Sequence, residues 1–194
     1  MSKSLKKQLP PGDFGIWIIV YIELITFGLL FLGYAFSRRG DVELFNQSQL
    51  LLDQRFGFAN TLILITSSYF VVKAVESIQL IDTDKAASLA SKWLLGAMSL
   101  GAIFIINKII EFADKAEQGI NLSTNTFFMF YLILTAFHFL HVLLGVIILF
   151  NIQQQAKKGA YSRANYKGME SGAIYWHLID LLWIVLFPLV YIIR

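Results

Sequence analysis

The chain has no cysteine. It therefore holds no disulfide, no iron–sulfur cluster, no thiolate-ligated haem and no copper site that needs cysteine sulfur. Charge is scarce as well. Asp, Glu, Lys and Arg together make up 15% of the 194 residues, where a soluble domain carries about a quarter. Histidine occurs three times, which leaves little for a haem or metal centre. Proline also occurs three times, twice at Pro10-Pro11. The basic start of the chain is not followed by a short apolar stretch with a small-residue cleavage site, so it does not read as a signal peptide.

What is present is apolar bulk in long blocks, 57% of the chain being hydrophobic. Five blocks, at about 14–36, 57–80, 92–112, 126–152 and 171–193, can each cross a hydrocarbon core of about 30 Å at about 1.5 Å per residue. The reading is an all-α bundle of five transmembrane helices. One membrane domain covers 14–194, behind a tail of residues 1–13, and the first block is a retained span. The links 37–55, 81–91, 113–125 and 153–170 are polar. The longest carries a short surface helix around LFNQSQLLLDQ, and 81–91 is a tight link. There is no internal repeat, and five spans do not divide into the inverted halves of many transporters.

The net charge of +3 would suggest nucleic acid in a soluble protein. Here the basic residues sit between apolar blocks, so topology explains them and no nucleic-acid partner is expected. Lys3, Lys6, Lys7, Lys85, Lys92, Lys157, Lys158, Arg163 and Lys167 fall on the N-terminal side. Arg38, Arg39, Arg55, Lys115 and Arg194 fall on the other. The positive-inside rule puts the N-terminus in the cytoplasm and the C-terminus outside. Trp17, Trp93 and Trp176 lie in the opening turns of three spans, and anchoring at the headgroup level accounts for Trp17 and Trp93.

A charge at the centre of a membrane helix costs about 3 kcal/mol or more, so such residues face the bundle and have partners. Glu23, about ten residues into the first span, has no basic residue within four positions. It is either a proton-exchanging carboxyl or a protonated one bonded to a neighbouring helix. Lys73 and Glu76 share a helix face and pair near a helix end, as do Lys108 and Glu111. His138 and His141 share a face of the fourth span with Gly145, extended by Tyr131 and Thr135. They either bond across to another helix or ligate one metal, and the first is the expectation. The fifth span is dense in polar and aromatic groups: Glu170, Tyr175, Trp176, His177, Asp180 and Trp183. His177 and Asp180, three apart, read as a polar knot that holds the fifth span against the fourth. No catalytic residue and no metal ligand set is expected in the chain.

The run FFMFYLILTAFHFLHVLLGVIIL followed by ESGAIYWHLIDLLWIVLFPLVY resembles the last two helices of subunit III of cytochrome c oxidase. The matching elements are His138, His141 and Gly145 in F-H-x-x-H-V-x-x-G, then Glu170, Tyr175-Trp176-His177, Asp180 and Trp183. GIWIIVYIELITFGLLF resembles the family's carboxylate-bearing helix, with Glu23 at that position. FGFANTLILITSS resembles the next helix, with Asn60 and Thr61 at its start, and Glu111 falls where the family ends the following span with a carboxylate.

The resemblance implies a non-catalytic subunit in a bacterial cytoplasmic (inner) membrane. It implies packing against subunit I of a haem-copper oxidase, with subunit II, in the aerobic respiratory chain. Haem and copper then reside in the partner, and phospholipid occupies a V-shaped cleft. The family's implied work is to support proton uptake into subunit I and to protect its oxygen-reducing centre. This sequence begins at the equivalent of the family's third helix, and Gln153-Gln154-Gln155 and Asn165 stand where basic lipid contacts are expected. Two alternatives remain: a subunit III-like protein associated with nitric oxide reductase, and a free-standing proton or small-solute carrier built on Glu23, His177 and Asp180.

Overall fold

The structure, a computed structural model, describes residues 10–80 and 85–194. Lys3, Lys6 and Lys7 of the tail, and residues 81–84 of the link read as tight, lie outside the described residues. Five long apolar helices are present: α1 (Phe14–Gly40), α3 (Gln54–Leu80), α4 (Lys85–Glu117), α5 (Thr126–Lys157) and α6 (Lys167–Phe187). A short helix, α2 (Val42–Gln49), lies between the first two, and α6 runs into a π-helical turn, Pro188–Ile192. This is a multi-pass membrane protein.

The ends have local causes. Pro10-Pro11-Gly12 cannot continue a helix, and Gly12 turns the chain at φ +75°, a conformation open to glycine. The Asp41 carboxylate accepts from Leu44 N at 3.2 Å and so starts α2. Asp53 accepts from Arg55 N at 2.8 Å beneath α3, and Asn125 from Phe128 N at 2.9 Å beneath α5; side chains of this kind satisfy first-turn donors. Asp41 also explains why the surface helix expected around LFNQSQLLLDQ begins earlier, at Val42, while it stops at Gln49 and leaves LLLDQ outside it. The helices overrun the apolar blocks, most of all α4, which reaches Glu117 rather than 112. Backbone hydrogen bonds need no apolar side chain, so a helix continues past the hydrocarbon until a breaker stops it.

α3, α4, α5 and α6 form a ring in which each packs on the next and α6 closes on α3. α6 is the most enclosed; Trp176, Ile179, Trp183 and Leu186 are among its buried side chains. α1 stands outside the ring against α5 and α6, and buries only Val20, Phe27 and Tyr34, one residue every seventh position. α2 packs on α5, α1 and the π-helical turn. The bundle thus has an α2 end and an N-terminal end.

Candidate functional site

The most buried charged residue among those described is Lys108, fully enclosed on α4 toward the α2 end. Its Nζ donates to Glu111 Oε2 at 3.0 Å and to the Tyr191 hydroxyl at 3.2 Å. Two phenols, Tyr131 from α5 and Tyr191 from the π-helical turn, donate to the same carboxylate oxygen, Glu111 Oε1, at 2.6 and 2.5 Å. The ammonium also lies 4.8 Å from the Phe112 ring centroid and 5.7 Å from that of Trp183, within reach of the ring quadrupoles. The Lys108–Glu111 pair is therefore not a helix-end pair, because α4 carries on to Glu117. It is a buried centre that joins α4, α5 and the C-terminal turn. Pro188 brings Tyr191 there: a proline lacks the N–H of a regular helical turn, and the chain widens into the π-helical turn that Pro188 opens.

One turn further in, the Trp183 indole donates to Thr61 Oγ1 at 3.0 Å and Asn107 donates to Asn60 at 2.8 Å. These bonds tie α6 and α4 to α3. His138 lies in the same layer, fully buried between the Phe104 and Trp183 rings, 5.7 and 5.0 Å away. Both of its ring nitrogens lack a hydrogen-bond partner among the described residues, so the expected interhelical bond from His138 is not formed there.

His141 does reach another helix. Its Nε2 lies 3.0 Å from Glu23 Oε2 on α1, an ion-pair distance off the line that a hydrogen bond needs. Its Nδ1 sits 2.7 Å from the Phe137 carbonyl. A carbonyl only accepts, so Nδ1 carries a hydrogen. The buried Tyr175 hydroxyl has no partner among the described residues.

Toward the N-terminal end, His177 does not pair with Asp180. Its Nδ1 meets the Ser68 hydroxyl of α3 at 2.5 Å, and Asp180 lies beside the same serine. The knot therefore ties α6 to α3, not to α5. Glu170 accepts from Gly12 N at 3.2 Å, and Ser171 accepts from Asp13 N at 2.9 Å, so the start of α6 holds the segment that leads into α1. Trp176 fills the space left by two glycines. A Cβ on Gly145 would come within 2.9 Å of its ring, and one on Gly101 within 2.8 Å.

The predicted polar residues thus fall into separate interhelical contacts rather than one catalytic pocket. Among the described residues no three His, Asp or Glu side chains gather as a metal ion would require. Reading the sequence missed Ser68 and Tyr191, and assigned Lys108 to a helix end. The signal for Tyr191 was Pro188, a proline inside an apparent span. Ser68 in the TSS run had no signal beyond its place in an apolar block.

The whole membrane region matches a known family. The family model for cytochrome c oxidase subunit III aligns with residues 13–194. The chain is 33% identical to cytochrome c oxidase subunit 3 of Synechocystis sp., over 99% of this chain and 85% of that protein. It is 30% identical to cytochrome c oxidase subunit 3 of Thermostichus vulcanus, over 92% and 85%. A cytochrome bo(3) ubiquinol oxidase subunit 3 of Buchnera aphidicola is 27% identical over 92% and 85%. With five spans, a family model matched over residues 13–194 and relatives 30% or more identical over nearly its whole length, the chain belongs to the cytochrome c oxidase subunit III family.

Proposed function

We propose that this chain is the non-catalytic third subunit of a bacterial haem-copper terminal oxidase, seated in the cytoplasmic membrane with its N-terminus inside. The observation that carries this reading is the match from residue 13 to the C-terminus with proteins named as the third subunit of oxidases. The chemistry of the bundle supports it. Its buried charged and polar side chains largely engage one another across helices, which suits a subunit that steadies a partner. Haem and copper belong to that partner, subunit I, with subunit II beside it. The Glu23–His141 contact lies where α1, the least buried span, meets α5, and this is the place from which the chain supports proton uptake. A crevice of about 510 Å³ between the N-terminal end of α4 and the C-terminal end of α5, lined by Ser88, Ser91, Lys92, Lys157 and Lys158, suits the headgroup of an anionic phospholipid. The relatives named above are oxidase subunits, so the oxidase reading stands before the nitric oxide reductase one.

Oxygen uptake by membranes of a strain lacking this chain tests the reading. The expected result is an initial rate that decays faster than wild type at equal haem content. Rate, decay and haem content all equal to wild type would defeat it.

A further inference from the structure

The outward faces of the bundle are not alike. α1 turns Ile18, Ile22, Ile25, Leu29 and Leu32 outward, and α5 turns Leu140, Leu143, Ile147 and Phe150 outward. Both are surfaces made for acyl chains. α3 differs. It has the least apolar span of the five, yet only 33% of that stretch is buried. Its outward face repeats at spacings of four and three, through Ala59, Leu62, Thr66, Tyr69, Lys73 and Glu76. The faces of α1 and α5 repeat in the same way, as any helix face does, so what sets this one apart is the kind of side chain it carries.

Three of these residues do not suit hydrocarbon. Tyr69 is 52% exposed and stands eleven residues from the helix end, about 16 Å along the axis, close to the middle of a core of about 30 Å. Tyrosine facing lipid belongs at the headgroups instead, and no described residue takes the hydrogen bond of its hydroxyl. Lys73 lies 5.6 Å from the Tyr69 ring centroid and pairs with Glu76 at 2.7 Å, with 35% and 41% of the two side chains exposed. Lys73 thus bridges Tyr69 and Glu76, and a polar ladder runs down a face that no long helix covers among the described residues.

We propose that this face of α3 is the seam against which a transmembrane helix of a neighbouring subunit packs. The partner presents small side chains opposite Tyr69, a hydrogen-bond acceptor for its hydroxyl, and an acidic group at the α2 end, where Arg55 continues the stripe. Small residues allow close approach and polar ones join helices in lipid. The seam rests on the reading of the chain as a subunit of a complex; it does not depend on the complex being an oxidase.

The absence of native cysteine makes the test direct. Thr66→Cys on α3 and Leu143→Cys on α5 are each loaded with a thiol-reactive benzophenone in native membranes, irradiated, and analysed by mass spectrometry. The expected result is a protein crosslink from position 66 and lipid adducts alone from position 143. Lipid adducts from both positions, or a protein crosslink from 143 alone, would overturn the seam. A position-66 crosslink to a protein without haem would keep the seam and sink the oxidase reading. A complex that retains haem, with position 66 labelling lipid alone, would do the reverse. Separately, the variant Tyr69→Phe/Lys73→Leu/Glu76→Leu makes the face more apolar. At a seam it lowers partner recovery by about tenfold, the equivalent of one or two lost hydrogen bonds, while the bundle itself stays folded. Unchanged recovery means the face meets lipid.

Discussion

Replacing Lys108 with Met leaves Glu111 buried without its cation. The residue is fully buried, its ammonium makes two hydrogen bonds, and the carboxylate that remains still receives Tyr131 and Tyr191. Breaking a buried ion pair by removing one partner costs about 3–5 kcal/mol. For a chain of this size that is a fall in the unfolding midpoint on the order of 10 °C. The companion variant Lys108→Met/Glu111→Leu removes both charges. It leaves only the two phenols short of an acceptor, at about 1–3 kcal/mol each, and Tyr131→Phe with Tyr191→Phe recovers most of that. The assay is thermal unfolding of the purified protein in mild detergent, followed by the monodisperse fraction on size exclusion. The order expected is wild type, then the fourfold variant close behind it, then the double and Lys108→Met, both well below. Lys108→Met melting with wild type, or the fourfold variant melting no higher than Lys108→Met, would refute the argument that the centre is an uncompensated-charge problem.

Glu23→Gln takes the ionisable carboxyl from the contact with His141; the complex should assemble normally while steady-state turnover falls or decays faster, and matching turnover, decay and proton uptake would remove the carboxyl from proton movement. Gly145→Ala drives a Cβ to within 2.8 Å of Ile179 and 2.9 Å of Trp176, an overpacking cost of about 1–3 kcal/mol that the same melting assay reads. Ser68→Ala removes the hydroxyl between His177 and Asp180 and should lower stability by about 1 kcal/mol, whereas Asp180→Leu should reduce recovery of the assembled complex; wild-type behaviour of both would dissolve the α3–α6 contact.

The five spans are legible in the sequence because length and apolar content act on each segment alone. Contacts between spans are not. Lys108 and Glu111 reveal their pairing by spacing, since residues three apart share a face. Their burial is hidden, because it depends on a tyrosine that a distant proline swings inward. Glu23 and His141 meet only because α1 lies in the groove between α5 and α6. His177 and Asp180 do share a face as the spacing requires, yet a serine on α3 stands against them, and facing the same way is not bonding. Gly145 is legible as a small residue beside the histidines, but its reason, the Trp176 ring, is a matter of packing between helices.

The measurement that bears most directly on the account is affinity purification of the tagged chain from native membranes in mild detergent, read by a reduced-minus-oxidised visible spectrum and by mass spectrometry. The account predicts a coloured complex in which this chain accompanies a large, many-helix haem-bearing subunit of the oxidase type. A colourless chain that purifies alone, under conditions that keep other respiratory complexes intact, would contradict it.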